Sequence, residues 1–111
     1  MKIEQQKVGS VDVLTPSGPL VDQDGADFVK KLMARVASSN PRIAIAMQDV
    51  PYMDSEAMEG LLDAADELGA HASLLNLVSV TATCRETLEL TGVADHLRFF
   101  QDVQDVAKSY L

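Results

Sequence analysis

Two short apolar runs, RIAIAM at 42–47 and ASLLNL at 72–77, constrain the fold more than anything else in the chain. Neither alternates apolar with polar residues, so each predicts a strand buried on both faces. Such strands need cover, and the intervening stretches supply it. Between Ala26 and Ala37, Phe28, Val29, Leu32, Met33 and Val36 recur every three or four residues, the stripe of an amphipathic helix. SSNP at 38–41 ends it, because Pro41 disfavours helix at Asn40. Met58, Leu61, Leu62, Ala65 and Leu68 form a second stripe in a helix predicted from Ser55 to Leu68, with Gly69 placed to end it in a left-handed conformation. Val80 to Leu90 reads as a third helix, stopped at Thr91-Gly92.

The chain ends complete the pattern. Residues 3–8 and 11–16, joined by Gly9-Ser10, predict a β-hairpin. SGPLVDQDG at 17–25 is a breaker-rich loop, with Asp24 a candidate cap for the helix behind it. LRFF at 97–100 predicts a short strand. DVQDVAKSYL at 102–111 predicts a last helix, capped by Asp102, with Val103, Val106, Ala107 and Tyr110 on one face. The order ββαβαβαβα predicts an α/β fold: a mixed, largely parallel sheet with an N-terminal hairpin, covered by helices on right-handed crossovers. A chain of 111 residues without repeats or linkers suits a single domain, 1–111.

Charge narrows the function. A formal net charge of -8 argues against nucleic acid, whose phosphates call for Lys and Arg, and against docking on anionic lipid. Cys84 is the only cysteine, so no internal disulfide or cysteine zinc cluster is available, and a reducing compartment fits. MKIEQQKVGS lacks the apolar core of a signal peptide, and no run approaches the roughly 20 residues that span a bilayer. The expectation is a cytoplasmic protein without direct membrane binding. Its oligomeric state is open, since the hairpin edge could pair with another chain.

Nothing in the sequence assembles a catalytic centre. His71 and His96 are far apart and beside no nucleophile, and Cys84 sits in mid-helix with no flanking base. No glycine-rich phosphate loop is present. A magnesium site would need Asp22, Asp24 and Asp54 to converge from separate strand ends. Acidic clusters read more simply as solvated faces, and no metal or cofactor is expected.

The stretch YMDSEAM at 52–58 holds the remaining candidate. Asp54 or Ser55 suits an N-cap, since a side-chain oxygen there satisfies a first-turn amide. A serine at a helix start beyond a parallel strand also lies where α/β folds expose their sites. A phosphate on it would meet the positive end of the helix dipole and add about -1.5 to -2 charges beside Asp54, Glu56 and Glu59.

Three segments together carry a resemblance across the chain: SGPLVD at 17–22, IAIAMQDVPYMDSEA at 43–57 and LELTGVADHLRFFQDVQDVAKSYL at 88–111. They resemble the G-x-L-D-like loop, the D-S-[ST]-G helix start and the [LM]-[ST]-G-[VL] segment of STAS domains in bacterial anti-sigma factor antagonists. The resemblance implies the STAS fold and a non-enzymatic regulator of transcription. Its implied partner is an anti-sigma factor that is also a serine kinase, with a phosphatase resetting the switch. By motif position the phospho-acceptor is Ser55. The implied partner surface comprises Asp22, Asp54, Ser55, Glu56, Ala57 and Met58. Two residues depart from the pattern: Glu56 stands where the family has serine or threonine, and Ala57 where it has glycine. The alternative is a STAS scaffold in a stressosome-like or transporter-associated complex, with Ser55 only a cap.

Overall fold

The computed structural model describes residues 1–111. The hairpin pairs β1 (Lys2–Val8) with β2 (Val11–Ser17) in antiparallel register, Ile3 opposite Pro16 and Val8 opposite Val11. Gly9 turns it at φ 61°, an angle that costs glycine little. There follow α1 (Asp22–Val36), β3 (Ile43–Ala46), α2 (Ser55–Ala70), β4 (Leu75–Val78), α3 (Ala82–Leu90), a 3-10 turn (Val93–His96), β5 (Leu97–Phe100) and α4 (Val103–Ser109). The strands form one sheet in the order β1-β2-β3-β4-β5, and β2 through β5 run parallel. The predicted element order and the mixed sheet with its N-terminal hairpin are both present.

Side-chain size along β3 explains how the layers assemble. All four of its residues are buried, but its two faces differ. Ile43 and Ile45 enter a core of 21 buried residues that includes Phe28 and Leu32 of α1, Leu61 and Leu68 of α2, and Cys84 and Leu88 of α3. Ala44 and Ala46 point the other way, into a cluster of six with Val11, Val13, Val78 and Val106. Burying a large aliphatic side chain contributes roughly 1.5–3 kcal/mol, so the isoleucine face holds most of the stabilisation. The alanine face leaves room for α4 to lie close. Cys84 is fully buried, as expected of a structural thiol, and its Sγ lies 3.4 Å from the Val50 carbonyl.

Several boundaries differ from those the sequence predicts. Helix α1 begins at Asp22, four residues before Ala26, and Asp24 lies inside its first turn rather than capping it. The Asp22 amide is satisfied from elsewhere in the fold, a partner that local spacing does not reveal. Helix α2 continues through Gly69 to Ala70, and the left-handed residue is Ala72 at φ 55°. The Ser73 amide reaches back to the Leu68 carbonyl at 2.9 Å, closing the helix end there. Finally, β4 starts at Leu75 and α3 at Ala82, later than the apolar patterns suggest.

One glycine sets the approach of α1 to α2. A Cβ at Gly60 would overlap Val29 Cγ2 and lie 2.7 Å from Val29 Cγ1. Gly60→Ala is therefore expected to destabilise the fold by about 1–3 kcal/mol in urea unfolding, despite alanine's better helix propensity. Val29→Ala in the same chain should restore at least about 1 kcal/mol of that loss. Strictly additive single and double variants would contradict this packing.

Candidate functional site

Two loops meet at the carboxyl ends of β2 and β3. The loop after β2 runs through Gly18, Pro19 and Leu20, and the loop after β3 runs from Met47 to Asp54. They are zipped by backbone bonds. Gly18 N–H donates to the Asp49 carbonyl at 2.9 Å, Leu20 N–H to Tyr52 at 3.1 Å, and Asp54 N–H to Leu20 at 3.0 Å. Leu20 and Met53 pair as a parallel bridge, and both are buried. These apolar anchors carry the starts of α1 and α2 side by side. Val50 ties the second loop to α3, accepting from Thr81 Oγ1 at 2.9 Å.

Asp54 spans the gap. Its Oδ1 accepts from the Ala57 amide, the third residue of α2, at 2.9 Å. Its Oδ2 accepts from the Asp22 amide, the first residue of α1, at 2.8 Å. One carboxylate thus caps two helices. Hydrogen bonds to the charged form favour it, so the Ala57 amide, and next the Asp22 amide, hold Asp54 below the ordinary carboxylate range. Asp22 adopts φ 50°, uncommon for a residue other than glycine, and is held there while its amide meets Asp54.

The cap assignment separates the two candidate roles. Asp54 is the N-cap of α2 and Ser55 the first helical residue. The Ser55 hydroxyl is not needed for capping, and the residue is exposed. Glu56 is exposed beside it, in the first turn, where a negative charge suits the helix dipole. Asp22 is exposed as well. Ala57 and Met58 are not: they retain 2% and 9% of their accessible surface. Ala57 faces Gly25, whose ideal Cβ would lie 3.6 Å from the Ala57 methyl. The structure therefore brings Asp22, Asp54, Ser55 and Glu56 together and turns Ala57 and Met58 inward, Ala57 toward α1 and Met58 into the core, where its sulfur lies 4.0 Å from Thr91 Oγ1.

Gly25 escaped the sequence reading. A Cβ there would come within 3.1 Å of the Leu20 carbonyl carbon, so glycine lets α1 start tight against the loop. The Gly25 amide donates to the Val21 carbonyl at 3.0 Å in the first turn, so the residue that looked like a loop breaker belongs to the helix. The carboxylates do not gather for a metal. Asp24 turns to the N-terminal amine at 3.4 Å, both oxygens of Asp54 already accept amides, and no group of three or more His, Cys, Asp or Glu could hold an ion. His71 and His96 stay exposed and far from Ser55 in the chain. No helix is long and apolar enough to cross a membrane.

A five-stranded mixed sheet with an N-terminal hairpin, and a doubly capping aspartate before an exposed serine, define a class of domain. The STAS domain family model matches residues 2–106, and the chain belongs to that family. No curated protein matches it in sequence. Solved structures do match in fold. A Thermotoga maritima protein assigned as an anti-sigma factor antagonist superposes with a TM-score of 0.87 at 17% identity, over 96% of this chain and 92% of that one. A sulfate transporter family protein from Wolinella succinogenes gives 0.72 at 20% identity, over 90% and 83%. The anti-sigma factor antagonist SpoIIAA in its unphosphorylated form gives 0.68 at 16%, over 92% and 89%.

The capping geometry has a direct test. Asp54→Ala leaves two amides without their acceptor and should cost about 1–3 kcal/mol in urea unfolding. Ser55→Ala should change stability by no more than about 0.5 kcal/mol. The acid limb carries the same signature. A carboxylate with a lowered folded pKa contributes stability that is fully present above its unfolded value, about 3.9. That contribution is lost as pH falls through the lowered folded value. Stability measured below about pH 4 should therefore fall less steeply in Asp54→Ala than in the parent.

Proposed function

We propose that this chain is a regulatory interaction module of the anti-sigma factor antagonist type, switched by phosphorylation of Ser55. Its partner is an anti-sigma factor with serine kinase activity, and a phosphatase resets it. It acts as a single, non-enzymatic domain over residues 1–111, in the cytoplasm, without contacting nucleic acid or membrane. The observation that carries this reading is the division of labour at 54 and 55. Asp54 does the capping, so the exposed Ser55 hydroxyl can be modified without loss of the helix start.

The partner surface is the exposed Asp22, Ser55 and Glu56 with the half-buried Asp54 between them, and Ala57 and Met58 support it from beneath. A phosphate on Ser55 adds about -1.5 to -2 charges beside Asp54 and Glu56. A docked partner must then bury or oppose that charge, and the complex weakens. Fold relatives support the reading: SpoIIAA is an anti-sigma factor antagonist, and the Thermotoga maritima protein is assigned as one.

Glu56 favours one competing reading. It places a fixed charge next to Ser55 before any modification, as suits a STAS scaffold subunit of a stressosome-like or transporter-associated complex. Incubation with magnesium-ATP and candidate anti-sigma factor kinases separates the two. The switch reading expects one phosphate by intact mass, lost in Ser55→Ala, and kinase binding at least tenfold weaker in Ser55→Asp, a change of about 1.4 kcal/mol. No incorporation by any kinase, with binding retained in Ser55→Asp, would sink it in favour of the scaffold.

A further inference from the structure

Asn76 is an odd residue for its place. It lies in β4, in the sequence LNLV, and is the one polar residue that is fully buried. Register puts it in a row with Val13, Ala44 and Arg98, on the sheet face that carries α4. Its Nδ2 donates to the Ile43 carbonyl at 2.9 Å and meets the Tyr110 hydroxyl, just past α4, at 3.0 Å. Its Oδ1 has no partner. A permanently covered position would be better served by valine or leucine, since an orphaned buried acceptor is costly.

The cover above it is slight. Helix α4 has seven residues, and Val106 is its only buried one. A helix of this length is not stable alone in water. Val103 and Tyr110 add partly buried apolar contacts, and the rest are polar: Arg42 and Arg98 lie 5.0 and 5.8 Å from the Tyr110 ring centroid, and Arg98 donates to Ser109 Oγ at 2.7 Å. The 21-residue core on the opposite face owes nothing to α4.

We propose that α4 is a strap, latched by Tyr110 on Asn76, that opens as a unit while the rest of the sheet stays folded. Opening uncovers an aliphatic strip made by Val11, Val13, Ala44, Ala46 and Val78. It also returns the Asn76 carbonyl to water, which offsets part of the cost of opening. Local openings of this kind are drawn from elements with few buried apolar contacts. The strap lies across the sheet from α2, so it works without reference to Ser55.

Native-state hydrogen exchange tests the strap on the intact protein. The Val106 and Ala107 amides, in mid-helix, should exchange at least about 100-fold faster than the Met47 amide, which bonds the Val78 carbonyl at 2.9 Å. Their exchange should depend weakly on denaturant, since little surface is exposed. Tyr110→Phe keeps the ring, removes the latch, and should speed α4 exchange roughly fivefold to tenfold. A lock supplies the converse. A Cβ at Gly9 would lie 3.6 Å from the Ala107 Cβ, within the range of about 3.5–4.5 Å that a disulfide spans. In Gly9→Cys/Ala107→Cys, oxidation should slow α4 exchange at least tenfold relative to the same protein reduced, and strain at the positive-φ Gly9 is common to both forms. Exchange of α4 amides at the Met47 rate would overturn the proposal. So would α4 exchange unchanged by Tyr110→Phe, or unchanged by oxidation.

Discussion

The Asp54 carboxylate is the interaction on which the candidate site depends. Two helix starts each bring amides that no carbonyl within the helix can satisfy. One ionised side chain serves both, accepting from Ala57 at 2.9 Å and from Asp22 at 2.8 Å. Its position is in turn set by backbone bonding between the Leu20 and Met53 segments, whose side chains are buried. The charge and the apolar anchors act together: the anchors bring the loops within reach, and the carboxylate fixes how the helices emerge. Ser55 inherits its exposure from this arrangement.

A second constraint is the inequality of the two sheet faces. Ile43 and Ile45 look toward three helices, Ala44 and Ala46 toward one of two turns. Large side chains fill the deep layer, and small ones admit a helix close to the sheet. The thick face gives the molecule its stability and presents the starts of α1 and α2. The thin face, closed by Val106 and Tyr110 over a buried asparagine, is where the fold has least holding it shut.

Much of this was legible along the chain. LRFF became β5 at 97–100, Asp102 caps α4 through the Gln104 amide, and Gly92 takes φ 81° after α3, all from short-range signals. The misplacements have a shared cause. The start of α1 looked like residue 26 because its cap is Asp54, 32 residues away. Gly69 looked like a helix end because glycine commonly is, yet the chain turned at Ala72 instead. Ala57 and Met58 sat beside a candidate serine in sequence, but successive helix residues point in different directions, and these two point inward.

Periodicity and breakers alone determined the order of elements and the parallel sheet, while the choice of Ser55 came from the resemblance to STAS domains. Each of those signals operates over a few residues, within reach of the chain's own geometry. Tertiary structure alone decided that the Asp54 carboxylate also reaches the start of α1, and that Asn76 meets Tyr110. Those contacts join residues 32 and 34 positions apart. Their partners are chosen by how loops and layers pack in space, which no local pattern encodes.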